Sequence, residues 1–233
     1  MSSPFVKGDG PTLVYKVSTI IRAVTAFRAS ELVWINDLNE RRKLRTIEAL
    51  SRYALAPPYV KKYFPMSKEL RNVGLLDPTQ LPIHPSSSRP VEGELRRGVR
   101  VGEILDLGLQ QKFKGEAGTY LVTNSSPLSI RRVESFVYEG PVIKVSEWER
   151  IWKLENVVIG SRSCGDPLRD SDRLKELYEK RGLTLLLGPP RGGLLRKWKD
   201  GLCYNFAQNQ GVKDLRTEEA LWSALSMLNL VLQ

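Results

Sequence analysis

The sequence predicts an α/β protein: a parallel sheet with helices on both faces, interrupted by a small antiparallel β-barrel. Three observations predict it. From Thr184 to Gln233 the chain reads strand, loop, strand, loop, helix. An amphipathic helix running into a buried strand, half of a doubly wound unit, precedes it near the N-terminus. Between them, over about fifty residues, the apolar period changes to that of short strands.

Residues Met1 to Pro11 carry Gly, Pro and Ser without period and read as an arm. Val17, Ile20, Ile21, Val24 and Phe27 then recur at helical spacing, and Leu32-Val33-Trp34-Ile35 is a strand-like run ending at Asn36-Asp37. Glu40 to Ala54 reads as a helix with a basic face, and Pro57-Pro58 stops it. Arg41, Arg42, Lys43, Arg45 and Arg52 either meet phosphate oxygens or form a solvated face. In Tyr59 to Pro65, aromatics interleave with lysines, which allows base stacking or plain core packing of Tyr63 and Phe64. Asp77 to Pro90, rich in proline and serine, is a linker or exposed loop.

Val99 to Leu109, Tyr120 to Thr123 and Val133 to Tyr138 are the strand-like runs, with a turn at Asn124-Ser-Ser-Pro127. They predict a small barrel of the oligonucleotide-binding kind, with charge from Arg96, Arg97, Arg100, Lys112, Lys114, Arg131 and Arg132. A purely structural or dimer-supporting insert is the rival reading. After Pro141 the α/β pattern resumes: strand at Val142–Val145, short helix at Glu147–Leu154 with Trp148, Ile151 and Trp152 inward, strand at Asn156–Gly160, helix at Asp170–Arg181. The implied division is 12–84 and 141–233 for the two parts of the α/β domain, with 85–140 as the insert.

A chain of 233 residues buries a sizeable core, and its 41% hydrophobic content is that of a globular protein. Lys and Arg number 36 against 26 Asp and Glu, giving a formal charge of +10 and a pI near 9.7. That imbalance favours a polyanionic partner, of which nucleic acid is the usual one. No apolar run is long enough to span a membrane and no signal peptide is legible, so a cytoplasmic location is expected. Cys164, Cys203 and the single His84 fall short of a zinc site, so no metal is expected and the thiols are read as free.

At the C-terminus, Thr184 to Leu187 is a strand meeting Gly188-Pro-Pro-Arg-Gly-Gly193, and Leu202-Cys203-Tyr204 a strand meeting the polar loop Asn205 to Gly211. Thr217 reads as the N-cap of a last helix whose first-turn Glu218 and Glu219 suit the helix dipole. Leu221, Leu225, Leu228 and Leu232 follow at helical spacing. Gly160-Ser161-Arg162 is a third loop on the same edge. Glycine lets main-chain groups approach a ligand, and such loops at strand ends form the crevice in which open α/β sheets bind nucleotides.

The wording of these loops, Leu187-Gly188-Pro189-Pro190-Arg191-Gly192 and Asn209-Gln210-Gly211 followed by Leu215 to Ala220, resembles the C-terminal signature of SPOUT-class S-adenosylmethionine-dependent RNA methyltransferases. More narrowly, it is similar to the archaeal and eukaryotic branch that carries an inserted small β-barrel domain. Tyr15 to Val33 resembles that family's first helix and second strand, and Pro57 to Pro65 with Glu69 to Leu76 its linker into the insert. One departure stands out: the family's first strand has only Met1 to Leu13 available, so it is either reduced to Leu13-Val14 or missing.

The resemblance implies a SPOUT-like fold with a C-terminal trefoil knot that grips S-adenosyl-L-methionine, an RNA substrate, ribosomal RNA first, and a homodimer through the C-terminal helix. It implies cofactor contacts from Arg162, Gly188, Gly192, Asn205, Asn209, Gln210, Gly211 and Thr217. Asn and Gln can equally serve their own loops. No residue is assigned as a general base, because a carboxylate at a helix N-terminus, as at Glu218 and Glu219, is a poor one. The rival to an enzyme is a non-catalytic RNA-binding or ribosome-assembly factor that keeps the fold.

Overall fold

The computed structural model describes residues 10–36, 40–134, 137–151, 153–188 and 201–233. It is a mixed α/β protein with two parallel sheets and a curled antiparallel sheet. Helix α1 (Pro11–Ala26) opens with proline at its first position, where the missing N–H costs nothing. Its stripe Val17, Ile20, Ile21 and Val24 is buried as the spacing predicts. Leu13 and Val14 are the first turn of this helix, which corrects their reading as a vestigial strand. Proline fixes the helical φ there, and both side chains are buried on the helix's inner face.

Strand β1 (Glu31–Ile35) leads to α2 (Arg41–Ala54), whose Ile47, Leu50, Ser51 and Ala54 are buried and whose Arg41, Arg42, Arg45 and Arg52 are exposed. Trp34 is almost fully buried, and its indole N–H donates to Ser51 Oγ at 3.1 Å, joining β1 to α2. The chain then makes 3-10 turns at Pro58–Tyr63, Lys68–Leu70 and Val73–Leu75. Phe64 is half-buried and Tyr63 is exposed. Phe64 meets Tyr53 edge-on at 5.1 Å, and the Tyr63 hydroxyl donates to Asp106 at 2.8 Å.

The antiparallel sheet has the order β3-β2-β4-β5, from β2 (Leu95–Val101), β3 (Ile104–Asp106), β4 (Gly118–Ser125) and β5 (Leu128–Val133). It curls around Leu105, Leu107, Leu109 and Tyr120 as a half-barrel; closure is not seen among the described residues. The observed β5 ends at Val133, where the last predicted run begins, and the described residues Glu134, Val137 and Tyr138 are not strand. The Tyr138 hydroxyl instead donates to Ala29 O at 2.8 Å, pulling that segment onto the turn after α1.

This sheet is locked to the 58–63 turn by polar groups. The Asp106 side chain is fully buried and accepts from Lys62, Lys112 (2.7 Å), Tyr63 and Gly108 N. Gly108 takes a positive φ of 74° under the Tyr59 ring, where a Cβ would lie 2.3 Å from Cδ1. Arg96, read from sequence as a nucleic-acid contact, is fully buried and bonded to Glu94 and to the carbonyls of Ser87, Arg89 and Leu107. A buried guanidinium with its donors satisfied is structural, so that reading is corrected. Burial pushes the His84 imidazole down to about 4, with Arg97 and Lys61 adding to the effect, so it is neutral and weakly basic at pH 7.

The second half supplies β6 (Val142–Ser146), parallel to β1, then α3 (Trp148–Ile151) and the parallel sheet β8-β7-β9. These last strands are β7 (Val157–Gly165), β8 (Thr184–Leu187) and β9 (Leu202–Tyr204), with α4 (Ser171–Arg181) between β7 and β8 and α5 (Thr217–Val231) last. Strand alternation splits the core. Leu32 and Trp34 of β1 share one cluster with α1, α2 and α5, whereas Ile35, Val157, Ile159 and Leu186 share another with Ile151 of α3.

Helix α5 buries Leu221, Ala224, Leu228 and Val231 within the one chain and leaves Leu230 exposed. Its cap is shifted by one residue from the sequence reading. Arg216 is the N-cap, its N–H donating to Glu219 Oε2 at 2.8 Å, while Thr217 is the buried first residue. Residues 189–200, on which Gly192 and much of the expected knot fall, lie outside the described residues, as does Trp152. Cys164 and Cys203 are not free thiols but a disulfide joining β7 to β9, with Cα atoms 5.6 Å apart. Spacing alone cannot give this pairing, because the two cysteines, 39 positions apart, are brought together only by strand pairing.

Candidate functional site

The three parallel strands β8, β7 and β9 end together. In register, Leu187, Gly160 and Tyr204 stand in one row across the sheet. The chain leaves that row in the same direction through Gly188, Ser161 and Asn205, so the glycine-bearing turns issue from one rim. Gly160 is glycine for a packing reason: a Cβ there would lie 2.4 Å from Leu187 Cδ2.

The third turn differs from its sequence reading. β7 does not stop at Gly160; Tyr204 pairs with Gly160 and again with Gly165, so residues 161–164 bulge from a continuing strand. Asn205 N–H donates to Gly165 O at 2.7 Å, and Asn205 Nδ2 to Arg162 O at 3.3 Å. The Cys164–Cys203 bond ties the same bulge to β9. The Arg162 guanidinium donates to Lys213 O and lies 3.4 Å from Asp214 Oδ1, so it bridges the bulge to the loop before α5.

Most of the polar side chains read as cofactor ligands serve the loop. Asn205 Oδ1 accepts from Ala207 N at 3.0 Å, and Gln210 Nε2 donates to Val212 O at 2.9 Å and Lys213 O at 3.2 Å. Asn209 is exposed, with a left-handed φ of 54° that asparagine tolerates better than most residues. Thr217 is buried at the start of α5. What the rim offers a ligand is therefore main chain. Among the described residues the N–H groups of Gly211, Val212, Lys213 and Asp214 make no hydrogen bond to the protein, and a Cβ on Gly211 would meet only open space. Free donors beside an uncrowded glycine fit the acceptor nitrogens of an adenine or a carboxylate.

The rim offers one phenol, Tyr204. Burial, with its hydrogen bond to Asp170 Oδ2 at 2.9 Å, pushes it up to about 12, so it does not serve as a base near neutrality. Among the described residues no cluster of His, Cys, Asp and Glu suits a metal.

A second concave feature lies on the N-terminal part. A cleft of about 1410 Å³ opens between the starts of α1 and α2 and the 68–72 segment, lined by Arg41, Arg42, Lys43, Lys68 and Arg71 against Glu40 and Glu69. Of the basic residues flagged on α2, the structure groups the first three at this cleft, whereas Arg52 pairs with Glu48 at 2.8 Å. The sequence assigns neither Lys68 nor Arg71 to a binding face; Arg71 enters only within the stretch that resembles the family's linker into the insert.

Residues 11–125 match the family described as "Putative RNA methyltransferase". The match runs from α1 through β4 and takes in the basic cleft, while the three-strand rim lies beyond it. It supports an RNA methyltransferase. Over 92% of this chain, an uncharacterized protein of Haloarcula marismortui is 26% identical, the alignment covering 91% of that protein. An uncharacterized protein of Halobacterium salinarum is 25% identical over the same shares. No helix among the described residues is long and apolar enough to cross a membrane.

Proposed function

We propose that the protein is an S-adenosylmethionine-dependent methyltransferase of the SPOUT class that methylates a base in structured RNA, with ribosomal RNA as the expected target. The observation that carries the cofactor assignment is the common rim of Leu187, Gly160 and Tyr204, with its unpaired main-chain donors. The match of residues 11–125 supports RNA as the substrate class. In this reading residues 12–84 and 141–233 form the catalytic domain and 85–140 the insert.

S-adenosylmethionine supplies an activated methyl on a sulfonium, so the protein's task is to hold donor and acceptor in line. Gly188, Gly192 and Gly211 give main-chain approach, and Asn205, Asn209, Gln210 and Thr217 shape the loop that carries the donors. Arg162 holds the bulge against that loop. A homodimer through α5 uses the exposed Leu230 side of the helix. The location is cytoplasmic; an intracellular Cys164–Cys203 bond is of the kind found in hyperthermophile proteins.

The test is methyl transfer. Incubated with S-adenosylmethionine and unmodified ribosomal RNA, the protein should add one methylated base detectable by nucleoside mass spectrometry. An RNA-bound protein that transfers nothing would instead favour the assembly-factor reading.

A further inference from the structure

Two surfaces compete to hold the RNA. The half-barrel is the one its sequence advertises, yet four of the seven cations read there are engaged internally, which leaves Lys114, Arg131 and Arg132 exposed and, among the described residues, without an ion pair. Arg97 pairs with Glu139, Arg100 with Glu116 at 2.7 Å and Lys112 with the buried Asp106, while Arg96 is inside. A cation already paired gains little from a phosphate, because it must give up one anion to take another.

The cleft at the start of α2 is the opposite case. Arg41, Arg42, Lys68 and Arg71 are exposed and, among the described residues, make no ion pair. One of the two carboxylates in the cleft is engaged locally: the Glu69 carboxyl is held below its ordinary range by its own backbone N–H and the Ser67 hydroxyl, with Arg42 and Arg45 contributing less. The first turn of α2 contains no acidic residue and begins Arg-Arg-Lys. Glu40, at the N-cap, lies 3.7 Å from Lys43, which leaves Arg41 and Arg42 as cations at the positive end of the helix dipole, an arrangement that an external polyanion relieves. The cavity, about 1410 Å³, is larger than a small-metabolite pocket.

We infer that this cleft, lined by Arg41, Arg42, Lys43, Lys68 and Arg71, seats the sugar-phosphate backbone of the substrate RNA, and that the half-barrel does not supply the main electrostatic contact. The inference rests on the RNA reading above and locates its surface.

The experiment measures binding of a short fluorescent RNA hairpin by anisotropy across a salt series, for four proteins. Arg41→Glu/Arg42→Glu should weaken binding by about 10- to 100-fold at low salt and flatten the log–log salt dependence by about two. Lys68→Ala/Arg71→Ala, on a separate segment, should weaken it in the same sense and guards against misfolding of the first variant. Lys114→Glu/Arg131→Glu, on the half-barrel, should stay within about threefold of wild type. The inference is overturned if both cleft variants keep wild-type affinity and salt slope, or if the half-barrel variant is the one that loses binding. Should the wild type bind no RNA at all, the RNA reading itself fails and takes the inference with it.

Discussion

Asp106→Ala should destabilise the protein by about 3 kcal/mol, toward the lower end of what breaking a buried ion pair costs. The carboxylate is inaccessible to water and gathers Lys62, Lys112, the Tyr63 hydroxyl and the Gly108 N–H. Removing it leaves two ammonium groups that can still reach solvent, which keeps the loss from being larger. Tyr63 and Gly108 lose their acceptor. Urea denaturation followed by tryptophan fluorescence measures the effect; a loss under about 1 kcal/mol would mean that the lock between the 58–63 turn and the half-barrel contributes little.

The same group sets an acid dependence. Burial alone would raise the Asp106 carboxyl, but the hydrogen bonds from Lys112, Gly108 N, Tyr63 and Lys62 outweigh it and hold it well below the ordinary carboxylate range. Its contribution is therefore complete above the unfolded-state value near pH 4 and is lost as pH falls below that. Asp106→Asn should lose part of this acid sensitivity.

Gly160→Val is the second large effect, and it falls on the rim. Even alanine would place a Cβ 2.4 Å from Leu187 Cδ2, and Leu187 is only 4% exposed, so it has nowhere to turn. Forcing β7 and β8 apart there should cost about 3 kcal/mol and abolish binding of S-adenosylhomocysteine, because both strands lead directly into the proposed cofactor loops. A variant that unfolds at the wild-type urea midpoint would show that the strand ends are not packed as described.

Elements with an unambiguous apolar period were legible from sequence. The α1 stripe, β1, β8 and β9 stand where the spacing put them, because burial on one or both faces leaves its mark on composition. What failed depended on partners distant in sequence. β7 continues past Gly160 because Tyr204 and Asn205 bond to it on both sides of a bulge. The disulfide exists because β7 and β9 pair. Arg96 looks like any other arginine until the 87–89 carbonyls close around it. The α5 cap moved by one residue because Glu219 reaches back to Arg216, a choice that the Thr-Glu-Glu wording leaves open.

At the candidate site, the residue types were legible and their roles were not. Asn205 and Gln210 were read as ligands or as loop bonds, and their side-chain hydrogen bonds are of the second kind. That shifts the proposed recognition of the methyl donor from side chains to the main chain around Gly211.

The most direct measurement is a calorimetric titration with S-adenosylhomocysteine of the wild type and of Gly211→Val. Among the described residues a Cβ at Gly211 meets nothing within 4 Å, so the variant should keep its stability within about 0.5 kcal/mol. The expected result is saturable micromolar binding by the wild type and its loss in the equally stable variant. No heat from the wild type at millimolar ligand, or undiminished binding by the variant, would contradict the cofactor rim.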